Sequence, residues 1–392
     1  MTRHRFHSIC PYFAMFPEDF VRRHLVWAAP GEHVFDPFSG RGTTVFESLL
    51  GNRPAAGCDV NPVAVCVSNA KANPPDRAQA LTRLREIRDQ QTQHSPAPNQ
   101  EFFRACFHES TLVQLLHLRD SLNWRRSRVD CFLAALALGA LHGESHRSQR
   151  CFSNRMPRTI STKPEYSMRW WQKNGCDAPK RDVFRILEGE IDFRFASQPA
   201  SLRGRVALGD ARKAAAMFPK LHGRVGLVVT SPPYLDTTNY REDQWLRLWF
   251  LGGLPSPSGH GRRDDRHYAL ETYWDFLREA WAGMAPLLTD DARVIVRIGG
   301  KRLGFEEARD GLADTLSSGL GRRIDLVEQR TTKIRQGQLR AFRPGASGTG
   351  VEHDFHFALK ARPRPRVLTG RRRLGGSSRP QTSADLHRAR GT

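Results

Sequence analysis

Apolar positions along the chain alternate between short continuous runs and helical spacing, which separates candidate strands from candidate helices. "HVFDPF" (33–38) and "AAGCDV" (55–60) read as short buried strands, each followed by helical periodicity, over 43–51 and 61–74. That succession is a βαβ unit of a parallel sheet. Ahead of it, "FPEDFVRRHLVWAA" (16–29) carries helical spacing behind a Pro-Glu-Asp start. From about 76 to 199 the pattern is helical at 110–124, 129–145 and 179–190, with an irregular polar stretch at 146–178 and no strand. Strands return at "RVALGD" (205–210), "VGLVVT" (225–230), "ARVIVRIG" (292–299), "RIDLVEQ" (323–329) and "EHDFHFALK" (352–360). Helices are predicted near 242–251, 271–287 and 305–317 between them. The pattern therefore predicts an α/β domain made of 1–75 and 200–362, a helical insertion over 76–199, and a tail over 363–392.

Composition narrows the partners. The 392 residues hold 61 Lys+Arg against 40 Asp+Glu, a net charge of +21. A surplus of that size suits a polyanion, nucleic acid first and an anionic membrane surface second. Part of it lies in 361–392, with nine arginines against one aspartate; such an end reads as disordered and solvated, or as an auxiliary phosphate contact. Seven cysteines without a CxxC pair point to reduced thiols rather than a disulfide framework. The most apolar run, 129–143, is too short to span a bilayer, and the basic N-terminus lacks a signal-peptide core. The expectation is a soluble, cytoplasmic protein.

Two stretches carry chemistry. Gly40 and Gly42 occupy the first strand-to-helix turn, where glycine permits positive φ and close approach of backbone to a ligand. No GxxxxGK is present, so the turn is not a Walker phosphate loop. Asp59 closes the next strand, seventeen residues after Gly42, where an acid accepts hydrogen bonds from ribose hydroxyls; an N-cap role is its plainer reading. The second stretch, "VVTSPPY" (228–234), ends an apolar strand on two prolines. Their rigidity can aim the Ser231 hydroxyl and a peptide carbonyl at one point, as acceptors for an exocyclic amino group. Tyr234 then offers a ring for a base to stack on.

"DPFSGRGTT" (36–44), "GCDVNP" (57–62) and "TSPPY" (230–234) together resemble the cofactor and catalytic motifs of the DNA amino-methyltransferases, the N4-cytosine/N6-adenine methylase family. "CPYFAMFPEDFVRRHL" (10–25), which includes Tyr12, is similar to the family segment packed near the methionine end of the cofactor. The resemblance implies a Rossmann-like S-adenosylmethionine-dependent methyltransferase sheet with an inserted helical domain. It also implies cofactor contacts at Tyr12, Asp36, Phe38, Gly40, Gly42 and Thr43, with Asp59 at the ribose and Asp210 near the adenine amino group. Ser231, Pro232, Pro233 and Tyr234 match the catalytic motif, and serine in the first position resembles the N4-cytosine branch. Methyl transfer to N6 of adenine, RNA base methylation and a non-catalytic nucleic-acid-binding role are the alternatives.

A cytosine N4 lone pair is delocalised into the ring. Hydrogen bonds from its amino group to Ser231 and the Pro232 carbonyl would free that pair for direct transfer to a flipped base, by positioning and electrostatics. C5 methylation needs a cysteine at this strand end, and none follows Cys176. The cofactor motif precedes the catalytic one, which resembles the α-type arrangement with target recognition between them. Basic and aromatic residues interleave over 147–175, and Arg158, Lys163, Arg169 and Trp170 are the candidate DNA contacts; a solvated loop with a buried Trp pair is the alternative. The basic loop 333–348 is a further candidate for the DNA cleft. His142, His146 and Cys151 fit no standard zinc spacing, so no metal is expected. The implied partners are double-stranded DNA and a cognate restriction endonuclease in the same system.

Overall fold

The computed structural model describes residues 3–12, 17–90, 98, 101–143, 148–156, 163–235, 243–257, 269–299, 303–333 and 351–360. Among the described residues, seven strands form one sheet in the order β3-β2-β1-β4-β5-β7-β6. They are β1 (His33–Asp36), β2 (Ala55–Asp59), β3 (Arg205–Leu208), β4 (Val225–Thr230), β5 (Leu288–Gly299), β6 (Ile324–Lys333) and β7 (Val351–Leu359). β1 to β5 run parallel to one another, whereas β7 lies antiparallel between β5 and β6. The fold is α/β and doubly wound, as the alternating pattern requires.

Period-2 geometry sorts the strand residues onto two apolar layers. Phe35, Val228, Val294 and Val296 face one layer, covered by α12 (Leu270–Met284) and α13 (Phe305–Leu320). Val34, Leu227, Val229 and Ile295 face the other, against α1 (Glu18–His24), α2 (Thr43–Leu50) and α3 (Pro62–Ala72). All six residues of β4 are buried, which explains its unbroken apolar run. β6 is the opposite case, an exposed edge strand ending in Arg-Thr-Thr-Lys, whose charges discourage pairing with another chain.

Between β2 and β3 the described residues include the helices α4 (Arg77–Asp89), α5 (Glu101–Cys106), α6 (Glu109–Ser121), α7 (Arg128–Ala140), α8 (Pro164–Lys173) and α9 (Val183–Phe195). The apolar α7 packs along α3, and its Gly139 admits the Ile9 carbonyl where any side chain would collide. Phe6, Phe46, Phe132 and Trp249 belong to the same buried cluster, so these helices share a core with the N-terminal segment. That core also takes in α11 (Trp245–Phe250), the helix after the Ser-Pro-Pro-Tyr stretch; α10 (Ala214–Met217) is a single turn after β3. Residues 1–361 form one compact unit.

Pattern reading passed over α4, α5 and α8. α4 buries only Ala80, Leu81, Leu84 and Ile87 amid charged residues, a narrow stripe set by its partner α9 and by a capping box between Asp76 and Gln79. α8 lies inside the stretch read as irregular; it starts on Pro164 at its first position and buries Ser167 and Trp171 on one side. Among the described residues, no helix is long and apolar enough to cross a membrane, and all seven cysteines are free thiols.

Candidate active site

Because β1 to β4 run parallel, Asp36, Asp59, Asp210 and Ser231 all arrive at the carboxyl edge of the sheet. Open α/β sheets bind ligands at that edge, where the strand order reverses. Here the reversal falls between β1 and β4, which carry the Gly40–Gly42 turn and the Ser231–Tyr234 stretch.

Gly40 and Gly42 adopt φ of 49° and 71°, in the left-handed region. A Cβ on Gly42 would stand 2.6 Å from Ser68 Oγ, so the turn lies directly on α3. Ser68 Oγ in turn donates to the Gly40 carbonyl at 2.9 Å. Tyr12 reaches the same place: Asn61 Nδ2 donates to its hydroxyl at 2.9 Å, and its ring edge would be 3.7 Å from a Cβ on Gly40. Thr43 is buried at the start of α2, and the Phe38 ring packs 5.7 Å from that of Phe276. Behind the turn Arg41 is almost wholly buried, donating to the His7 carbonyl and to Glu18. His7 meets Glu47 at 2.5 Å, and burial together with the nearby Lys71 charge lowers its pKa.

Each acid has a distinct environment. Asp59 accepts from the Gly40 N–H and the Asn61 N–H, both at 2.8 Å, and burial pushes its pKa up to about 6. The N-cap of α3 is Asn61 rather than Asp59, with the Asn61 side chain accepting from the Val63 N–H. Asp36 is buried; it accepts from Thr230 Oγ1 at 2.6 Å and from the Phe38 N–H at 3.1 Å. Burial raises it to about 6 as well. Its carboxylate thus ties the end of β1 to the end of β4. Asp210 is held by the Arg212 guanidinium, which also reaches Glu279.

The Ser-Pro-Pro-Tyr stretch is fixed from two sides. Pro232 is buried, and Pro233 is exposed but gives its carbonyl to the Tyr273 hydroxyl of α12 at 2.9 Å. Tyr234 donates from its hydroxyl to Glu352 Oε1 on β7 at 2.8 Å and hydrogen-bonds Ser231 as well. Burial raises the phenol pKa well above its usual value, and the Glu352 charge adds to the rise. Glu352 is held 3.3 Å from Arg297, which makes two bonds to Asp354 at 2.6 and 2.8 Å. Tyr273, Glu352, Arg297 and Thr230 were not singled out from sequence. Only Thr230, inside the motif itself, had a local signal.

The predicted DNA contacts sit elsewhere. Lys163 and Arg169 are exposed on or beside α8. Trp170 is half-buried with the Arg155 guanidinium 5.3 Å over its ring, while Trp171 is buried against Phe102. The Trp pair therefore serves the helical core at least through Trp171. Arg158, Arg147, His146, Phe13, Met15, the loop 334–350 and the tail lie outside the described residues. His142 is buried, and Cys151 is half-buried.

No family profile matches the chain, and no curated protein matches it. Solved structures resemble it loosely. The rRNA methyltransferase aviRa from Streptomyces viridochromogenes is 13% identical over 91% of this chain and 94% of that one, with a TM-score of 0.33. The 16S rRNA (adenine(1408)-N(1))-methyltransferase from Catenulisporales acidiphilia is 11% identical over 90% and 96%, at 0.34. Magnesium protoporphyrin IX methyltransferase (ChlM) from Synechocystis PCC 6803 is 10% identical over 88% and 79%, at 0.33. Likeness at this level carries no argument about substrate or cofactor.

Proposed function

We propose that the chain transfers a methyl group from S-adenosylmethionine to the exocyclic N4 of cytosine in DNA. The observation that carries this reading is the meeting of the Gly40–Gly42 turn, the acids Asp59 and Asp210, and the Ser231–Tyr234 stretch at one sheet edge. The residues fit the nucleoside part of such a cofactor. Two left-handed glycines open the turn, and Asp59, whose oxygens accept backbone bonds, is an acceptor for ribose hydroxyls; Asp210, already paired with Arg212, is assigned to the adenine amino group by the sequence resemblance alone. A carboxylate oxygen that already accepts one backbone bond retains a lone pair for another. When bound, S-adenosylmethionine supplies an electrophilic sulfonium methyl.

The chain's own residues do the positioning. Ser231 Oγ and the Pro232 carbonyl accept the two amino hydrogens and hold the nitrogen with its lone pair free. Tyr273 holds the Pro233 carbonyl, so the stretch cannot turn away when the base enters. Tyr234 supplies the stacking face. Lys163, Arg169 and Trp170 on the helical layer, and Arg158 in the same stretch of sequence, are proposed to contact the DNA.

The decisive experiment incubates the protein with labelled S-adenosylmethionine and unmethylated genomic DNA or RNA, then digests the product to nucleosides. N4-methylcytosine from DNA is the expected outcome. N6-methyladenine would move the reading to the other branch of the same chemistry, and label on RNA alone would overturn the DNA substrate. Ser231→Ala is expected to keep cofactor binding and lower transfer by on the order of 100-fold, as loss of one aimed polar partner does.

A further inference from the structure

Tyr234 is pinned at both ends. Its backbone follows Pro233, whose carbonyl is held by Tyr273, and its hydroxyl reaches Glu352 across the sheet edge at 2.8 Å. The pairing of β5 with β7 explains why a residue so distant in sequence is there: Gly299 at the carboxyl end of β5 stands opposite Glu352, and Thr230 pairs with Val296 on the other side of β5. Antiparallel β7 thus delivers its first residues to the edge where the parallel strands deliver their last.

The carboxylate has little freedom of its own. Arg297 lies 3.3 Å from its second oxygen and is in turn locked by Asp354, which also receives Arg23 at 3.1 Å. The Arg297 guanidinium additionally packs 4.2 Å over the Phe20 ring. The Glu352 side chain is only 19% exposed and that of Arg297 4%, so neither can reorient into water without losing these partners. A tyrosine hydroxyl alone could bond any nearby acceptor, but an acceptor braced through two further charged groups imposes one ring orientation.

We propose that Glu352 is a positioning residue of the active site, holding the Tyr234 ring in the orientation on which the target base stacks, with Arg297 bracing it. This rests on the methyl-transfer reading above. The role concerns geometry and involves no bond to substrate: displacement of a positioning group by about 1 Å can cost on the order of 100-fold in rate.

A double-mutant cycle tests it. Methyl transfer to unmethylated genomic DNA and equilibrium binding of S-adenosylmethionine are measured for the wild type, Glu352→Ala, Tyr234→Phe and the pair. Each single variant is expected to lower kcat about tenfold or more, the loss of a hydrogen bond to a charged group, with cofactor affinity unchanged. The double variant is expected to be no slower than the worse single one, because Glu352 acts through the Tyr234 hydroxyl. Glu352→Gln keeps an acceptor of the same reach and is expected to recover most of the loss. Losses that multiply in the double variant, or full kcat in Glu352→Ala, would overturn the positioning role. Should Glu352→Ala not fold, Tyr234→Phe and Glu352→Gln decide the matter: full kcat in Tyr234→Phe, or Glu352→Gln slower than Tyr234→Phe, overturns it. A wild-type protein that labels neither DNA nor RNA overturns the functional reading itself, and needs no variant to be told apart.

Discussion

The turn at Gly40–Gly42 and the stretch Ser231–Tyr234 close neighbouring strands, yet the chain holds them by different means. The turn is secured by groups near it in sequence: Ser39, Asp59 and Ser68 lie within 28 residues of Gly40, and most of the bonds use backbone. The Ser-Pro-Pro-Tyr stretch is stiff in itself but is aimed by side chains 40 and 118 residues away, Tyr273 and Glu352. Even the tie between the two regions, Thr230 to Asp36, spans 194 residues. Local bonds form with little loss of chain entropy, whereas distant ones require the sheet to be assembled first. The turn is therefore a property of the contiguous β1–α2–β2–α3 segment, and the Ser-Pro-Pro-Tyr stretch a property of the finished fold.

The largest expected effect comes from cutting the distant anchor. Arg297→Ala leaves Asp354 buried with only the half-exposed Arg23 for company, and should destabilise the protein by about 3–5 kcal/mol in denaturant unfolding. A loss under 1 kcal/mol would show that the Ser-Pro-Pro-Tyr side does not depend on that anchor. Gly42→Ala attacks the local side. A left-handed alanine costs about 1–2 kcal/mol, and Ser68 must also move aside, so cofactor affinity should fall in a binding titration. Pairing it with Ser68→Gly should recover only the steric part.

Tyr273→Phe removes one hydrogen bond, worth about 1 kcal/mol. It should lower kcat while leaving cofactor affinity alone; a change confined to cofactor affinity would erase the distinction between the two regions. The gentlest probe is pH. Asp36 and Asp59 both have pKa values raised to about 6 by burial. The folded state holds their protons more tightly than the unfolded chain does. Their contribution to stability is thus complete below about pH 4 and is lost as pH rises through about 6. Thermal unfolding of Asp36→Asn between those limits should show a flatter pH dependence than the wild type, and an unchanged slope would remove Asp36 as its source.

Much of the candidate site was legible because its signals are local. A glycine pair after an apolar run, an acid at the next strand end and two prolines closing "VGLVVT" each mark themselves within a few residues. Glu352 and Tyr273 carry no such mark: a glutamate opening a strand and a tyrosine on an amphipathic helix read as solvated and core positions. α4 and α8 were missed for a related reason. Their buried stripes are narrow, and Trp171 counts as core only once Phe102 stands beside it.

By itself the sequence determined the strand succession, the parallel sheet and the two motifs, since hydrophobic period and turn chemistry act over short spans of chain. The tertiary structure alone decided which distant side chains brace those motifs. Hydrogen bonds such as Tyr234 to Glu352 depend on β5 and β7 pairing in one register, and a register is fixed by the packed sheet, not by either strand.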